Sequence, residues 1–540
     1  MEKYMAFMLG NHLTFIDSFQ FMSSSLDKLV SNLPKEALIY TSRKFKGKEL
    51  DLMSKKGVYP YDFMDSFDKF NEKLPPKEEF YSILNDEDIT DDQYKHAQNV
   101  WDVFSLENMG EYHNLYLKSD ILLLADVFEN FRKTCLQYYK LDPCHYFTSP
   151  GLSWDAMLKM TDIKLELMTD IDMFQFIEKG MRGGISYICN RYGKANNKYM
   201  KTYDEKAPSK YIMYLDANNL YGWAMSQYLP TGGFRWMTEK QIDNIDLGKY
   251  KEDSKKGLIL EVDLTYPKEL HDLHNDYPLA PEKVKVTENM LSEYCKNIAK
   301  KYKISTGLVH KLIPTLSNKE KYVLHYRNLQ LYTDLGLKIT KVHRVLEFNQ
   351  SPWLKEYIDF NTQKRTNAKN AFEKDFFKLM NNNTDSLTYE IETSDVYQDF
   401  WNDKDKFDNS DYPENSPFYS NTNKKVIGKF KDEAAGIPIT EFVGLRSKMY
   451  SYMKDNDKGG KTAKGIKKNI IKNNITHKNY KEVLFNNKQM HHTMKTIRSN
   501  LHQLGSYELN KVSLSCFDDK RYIKEDGINS YAYGHHVIKN

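Results

Sequence analysis

The stretch Tyr211-Ile-Met-Tyr-Leu-Asp216-Ala-Asn-Asn-Leu220-Tyr221-Gly222 decides how this chain is read. Five apolar residues in a row predict a short buried strand, with Asp216 at its end where the chain turns. A carboxylate at the lip of a buried strand is placed to hold a hard cation facing a cleft. It is equally placed to cap the helix that follows, and the local pattern leaves both roles open. Tyr221, five residues on, is positioned to stack on a ligand.

Two further segments lie downstream. Between Asn367 and Asn382, the positions Phe372, Phe376, Leu379 and Met380 recur at helical spacing and predict one buried face. Lys374 and Lys378 stand four apart on the other side, a stripe of two cations that suits a triphosphate or simply a solvated face. After Asn383-Thr384-Asp385-Ser386, the run Leu387-Thr-Tyr389-Glu-Ile391 alternates with period two and predicts a strand, again with an Asp at its start. Two such carboxylates brought together would bind two Mg²⁺ ions for an in-line phosphoryl displacement.

Composition narrows the class. The 540 residues are 28% charged and 40% hydrophobic, with 25 Gly and 16 Pro, which excludes collagen-like and wholly disordered chains. No apolar run is long enough for a membrane span, and the start Met1-Glu2-Lys3-Tyr4 has no signal-peptide core. An intracellular protein of nucleus or cytoplasm, monomeric and with no membrane partner, is the expectation. Five scattered cysteines without C-x-x-C spacing argue against a disulfide scaffold or zinc finger. The net charge of +4 is unevenly spread: Ser451 to Asn500 carries eleven Lys and one Arg against two Asp and one Glu, a net of +9. That is the footprint of a polyanion-binding region or of a lysine-rich solvated face. Gly459-Gly460 suggests a hinge at its start, and the helix of the N-terminal region is expected from Ile121 onward.

The order of the segments is more specific than any one of them. Asp-x-x-x-Leu-Tyr, then Lys-x-x-x-Asn on a helix, then Thr-Asp-Ser, then Lys448-Met-Tyr450 resembles the ordered signature of family B DNA polymerases. The protein-primed, organellar and viral branch is the nearest in likeness, and within it the Polinton/Maverick transposon enzymes. The resemblance rests on Leu-Asp-Ala-Asn-Asn-Leu-Tyr-Gly-Trp-Ala-Met (215–225), Phe-Phe-Lys-Leu-Met-Asn-Asn (376–382), Thr-Asp-Ser-Leu (384–387) and Gly-Leu-Arg-Ser-Lys-Met-Tyr (444–450). Glu111-Tyr-His-Asn-Leu-Tyr116-Leu-Lys-Ser-Asp120 is similar to the third exonuclease motif, Tyr-x-x-x-Asp.

The resemblance implies an α/β fold with palm, fingers and thumb and a partial RNase H-like exonuclease domain. Residues 1–150 would be that exonuclease-like part, and 151–205 a connecting region with the Met181-Arg182-Gly183-Gly184 turn. Palm and fingers, with a terminal-protein-region-like insertion, would fill 206–450, and a basic thumb-like region 451–540. Asp216 and Asp385 would be the metal-binding carboxylates, and Tyr221, Lys374, Lys378 and Asn382 would contact the incoming nucleotide. Lys448 and Tyr450 would hold the primer end, and Arg182, Gly183 and Gly184 the template strand. Implied partners are a DNA template-primer, dNTPs and a terminal priming protein, with Mg²⁺ as cofactor.

The chain also departs from the family. Residues 1 to 120 contain no Asp-x-Glu, which points to a truncated N-terminus and leaves Tyr116 and Asp120 as an exonuclease remnant with a structural role. Lys378 and Asp385 are seven residues apart, where the family has many tens, which reads as an internal deletion that removes the strand upstream of Asp385. Two functions follow: a DNA-directed DNA polymerase of mobile-element or viral type, impaired in this copy, or a non-catalytic DNA-binding relic of one. A free-standing nuclease is disfavoured by the missing carboxylates.

Overall fold

A computed structural model describes residues 5–381 and 386–538. The chain divides into two compact units, each built from separated segments: Met1–Ile163, Leu354–Asn383 and Thr493–Leu509 in the first, and Lys164–Trp353, Thr384–His492 and Asn510–Asn540 in the second. Among the described residues no helix is long and apolar enough to cross a membrane.

The first unit is mainly helical. Its spine is α1 (Met109–Tyr139), which starts twelve residues before the expected Ile121 because Asn108 caps it, its side chain accepting the Glu111 N–H at 3.1 Å. Further along, Leu123, Val127, Phe131 and Cys135 are buried. Asp126 is buried beside them but satisfied, since it accepts the N–H groups of Tyr40 and Thr41 and the Thr41 hydroxyl. The helix expected over Asn367 to Asn382 is shorter: α2 (Lys355–Thr366) ends just before that segment, and Asn370 caps α3 (Ala371–Met380), its side chain accepting the Glu373 N–H. Phe372, Phe376, Phe377 and Met380 are buried, so Phe377 rather than Leu379 completes the apolar face. Phe376 packs against Phe131 of α1 with ring centroids 5.5 Å apart.

The second unit holds two sheets. A four-stranded antiparallel sheet runs in the order Leu229–Trp236, Lys338–Ser351, Lys256–Thr265, Lys319–His325. Leu258, Leu260, Val262 and Leu264 fall at alternate positions and are all buried, as a half-buried strand demands. The larger sheet is antiparallel and contains β1 (Lys210–Ala217), β2 (Ser386–Glu392), β3 (Phe430–Asp432), β4 (Ile439–Arg446), β5 (Met449–Lys454) and β6 (Gly459–Ala463), with Tyr192–Lys194 beside β4. Its order is β2-β1-β4-β5-β6, with β3 on β1 as well. The helix α4 (His477–Phe485) packs on it through Tyr480, Val483 and Leu484.

One expectation is corrected here. Gly459 and Gly460 form no hinge: they open β6, where a Cβ on Gly459 would lie 2.2 Å from the Tyr452 carbonyl oxygen and one on Gly460 2.5 Å from the Tyr452 ring. Glycine is needed for close approach, not for flexibility. Arg191, which opens a polar basic run in the sequence, is buried, and its guanidinium donates to the carbonyls of Gly527, Leu445 and Cys516.

Candidate active site

Asp216 is half-buried at the end of β1, after Tyr211, Ile212, Met213 and Leu215 have fixed that strand in the core. The register places it between two partners: Ser386 of β2 on one side and Lys431 of β3 on the other. Ser386 directly follows Asp385 in the chain. Lys431 pairs with Asp411; burial works against its charge, yet that ion pair outweighs the cost and holds its pKa above the ordinary value. Asp216 does not cap the next helix. That role belongs to Asn219, which takes a left-handed φ of 45° and accepts the Gly222 N–H at 3.1 Å.

The short helix Leu220–Met225 therefore starts immediately beyond Asp216 and turns Tyr221 outward, where it is 46% exposed. Opposite it runs the segment containing Arg182, Gly183 and Gly184, which forms no regular element and not the turn expected of it. A Cβ on Gly184 would stand 3.9 Å from the Tyr221 hydroxyl, and one on Gly183 would meet nothing within 4 Å. Arg182 fixes this segment by donating to the carbonyls of Gly180 (2.9 Å) and Val323 (2.8 Å) and by lying 3.8 Å over the Tyr322 ring. The loop thus leaves an uncluttered strip of backbone beside Tyr221.

A line of hydroxyls joins three motifs. The Ser386 hydroxyl donates to the Tyr214 hydroxyl at 3.3 Å, which in turn lies 3.2 Å from the Tyr450 hydroxyl. Burial, with Tyr214 next in effect, pushes the Tyr450 phenol well above its ordinary range, so it remains a neutral donor and acceptor. Lys448 occupies the tight turn between β4 and β5 at a φ of 58°, with its side chain exposed. Asp216, Tyr221, the Arg182–Gly184 segment, Lys448 and Tyr450 all belong to the second unit. Asn382 and Asp385 lie outside the described residues.

The remaining candidates belong to the first unit. Lys374 and Lys378 are exposed on α3. Tyr116 and Asp120 stand one turn apart on α1, and Lys56 reaches both, donating to the Tyr116 hydroxyl at 2.7 Å and pairing with Asp120 at 2.5 Å. Burial raises the Tyr116 pKa, and the other Asp120 oxygen is buried without a partner. Sequence reasoning missed Tyr214, Asn219, Lys431 and Lys56. The signal for Asn219 was present, since Asn three residues before Gly at a strand-to-helix turn is a capping pattern.

The family model described as DNA polymerase type B, organellar and viral, matches residues 3–386. A curated relative from Podospora anserina, named "Probable DNA polymerase", is 23% identical over 234 residues; the match covers 43% of this chain and 16% of that protein, so the chain spans about a sixth of that relative's length. The solved structures to which this chain is similar include two of Phi29 DNA polymerase. "Phi29 DNA Polymerase, orthorhombic crystal form" gives a TM-score of 0.49 at 12% identity, covering 94% of this chain and 82% of that one. "Phi29 DNA polymerase complexed with primer-template DNA and incoming nucleotide substrates" gives 0.46 at 13% identity, covering 93% and 80%.

Proposed function

This chain belongs to the type B DNA polymerases of organellar and viral kind, and from that premise we propose that it is a protein-primed, DNA-directed DNA polymerase of a mobile element or virus whose chemistry is impaired in this copy. One observation carries the reading: Ser386, the residue after Asp385, stands opposite Asp216 on the neighbouring strand. Antiparallel neighbours on adjacent strands are ~4.5–5.5 Å apart, so the start of β2, the residue next to Asp385 in the chain, stands at the strand end that carries Asp216.

Those two carboxylates form a donor set of the right kind for Mg²⁺, a hard cation that takes oxygen ligands. When bound, it would neutralise charge on a triphosphate and favour attack by a primer hydroxyl on the α-phosphate. The chain's own residues do the positioning. Tyr221 lies under the sugar of the incoming nucleotide, and Lys374, Lys378 and Asn382 take the triphosphate side. Lys448 and Tyr450 hold the primer end, and the Arg182–Gly184 segment follows the template. The expected division is kept as part of this reading: exonuclease-like 1–150, connection 151–205, palm and fingers 206–450, basic thumb-like 451–540. A terminal protein supplies the first hydroxyl.

Support for impairment is local. The helix α3 ends at Met380 and β2 begins at Ser386, so five residues (381–385) join the lysine helix to the catalytic strand. Among the described residues β2 has β1 on one side and no strand on its outer edge. Catalysis by positioning is sensitive, with ~1 Å of misplacement costing ~10²-fold. The test is primer extension with this chain, with its Asp216→Asn variant, and with a version carrying a homologous segment between Asn382 and Asn383. Little extension is expected unless the segment is restored. Robust synthesis by the unrestored chain that Asp216→Asn abolishes would refute the impairment, and failure of every version to bind primer-template would refute the polymerase reading.

A further inference from the structure

One cluster outside the candidate active site brings three nitrogen ligands together. His271 follows the turn Lys268–Leu270, and His535 and His536 belong to a C-terminal segment anchored where the Leu316 N–H donates to the Tyr533 carbonyl at 2.7 Å. One side-chain ring nitrogen from each of the three lies within 4.8 Å of the other two. His271 and His535 are 4% and 1% exposed, and Nε2 of each is buried without a hydrogen-bond partner. Buried polar atoms are seldom left so. Asp272 adds an oxygen: its Oδ1 is 3.3 Å from His535 Nε2. Two ligands held ~2.0–2.1 Å from one tetrahedral zinc ion are themselves roughly 3.3 Å apart.

We propose that His271, His535 and His536, with Asp272 as fourth ligand, form a binding site for a divalent transition metal of the zinc class, which staples the C-terminal segment to the loop at 266–277. Three imidazoles and a carboxylate suit zinc and not magnesium, so the site is chemically distinct from the carboxylate pair proposed in the palm. His271 Nδ1 accepts the His536 N–H at 2.9 Å, and His535 Nδ1 accepts the Val537 N–H at 3.3 Å, so each neutral ring carries its proton on Nε2. Coordination through Nε2 moves that proton to Nδ1 within the same ring and releases the backbone N–H, with no net proton lost. The turn from His535 to Ile538 is the part that rearranges.

The experiment uses the full chain, stripped with a chelator and titrated with Co²⁺ as the probe. One equivalent should bind with the intense visible absorption of a tetrahedral ion, Zn²⁺ should displace it, and thermal unfolding should move upward. Asp272→Asn and His536→Ala, both at exposed side chains, should each weaken binding roughly tenfold or more. No absorption at stoichiometric Co²⁺, or a band unchanged in both variants, overturns the site. So does a weak, octahedral-type spectrum that disappears in Asp216→Asn, because it places the metal in the palm.

Discussion

A Cβ on Gly222 would lie 2.1 Å from the Asn219 side-chain amide, inside the cap that turns the chain past Asp216. Asn219 therefore requires Gly222, and together they set the direction of Tyr221. Gly222→Ala should cost about 1–3 kcal/mol, the usual range for overpacking a filled site. In an Asn219→Gly background, which keeps the left-handed φ and removes the obstructing amide, the same change should cost clearly less. Urea unfolding of the four proteins in this double-mutant cycle measures it, and equal costs in both backgrounds would remove the cap from the explanation. At this scale the sequence was readable wherever partners are near in the chain, as with the strand before Asp216. It was unreadable for Lys431 and Tyr450, whose contacts with the Asp216 strand span more than two hundred positions.

β4 and α4 are joined by one carboxylate. Glu441 accepts from Tyr192 at 2.6 Å, from Lys481 at 2.7 Å, and lies 2.8 Å from His477 Nε2. Burial alone would raise its pKa, but Lys481, Tyr192 and His477 outweigh burial and hold it below the ordinary value. A depressed folded value means that the stabilisation is complete above the unfolded pKa of ~4.3 and fades as pH falls through the folded value. Glu441→Gln should cost about 1.5–3 kcal/mol at pH 7, the range for hydrogen bonds to a charged group. The deficit should shrink below pH 4, and urea melts at the two pH values test it; a deficit that does not change with pH would assign the loss to packing. Element types were largely legible: Leu387 to Ile391 alternates and is a strand, and Phe372 to Met380 is a helix. Boundaries were less so, because Asn108 and Asn370 act as caps whose effect depends on side-chain geometry. The Gly459-Gly460 pair was misread since glycine marks either freedom or crowding, and only the Tyr452 ring decides which.

The positive charge of Ser451 to Asn500 is not a separable tail. It runs through β5, β6, the helix Lys468–Asn473 and α4, with Lys464, Lys468, Lys472 and Lys478 exposed. Truncation at 451 would strip two strands from the sheet, so charge reversal is the cleaner probe of DNA binding. Replacing Lys464, Lys468 and Lys472 with Glu should weaken binding and flatten the slope of log affinity against log salt. Each lost phosphate contact is worth ~0.9 in that slope on duplex DNA. Fluorescence anisotropy across a KCl series measures it, and an unchanged slope would place the DNA elsewhere. What composition could not show is that each unit is stitched from distant segments. That stitching has a consequence for birth on the ribosome. The face of α1 that Phe376 covers is finished at Tyr139, yet the segment from Leu354 onward emerges 191 residues (354 − 163) after the first segment ends. At ~5–20 residues per second that is roughly 10–40 s, during which Phe131, Cys135 and Tyr139 await their partner. Nascent chains stalled at Lys300 should be cut by protease within α1 and captured by chaperones that bind apolar surface, whereas chains stalled beyond Ser420 should be protected.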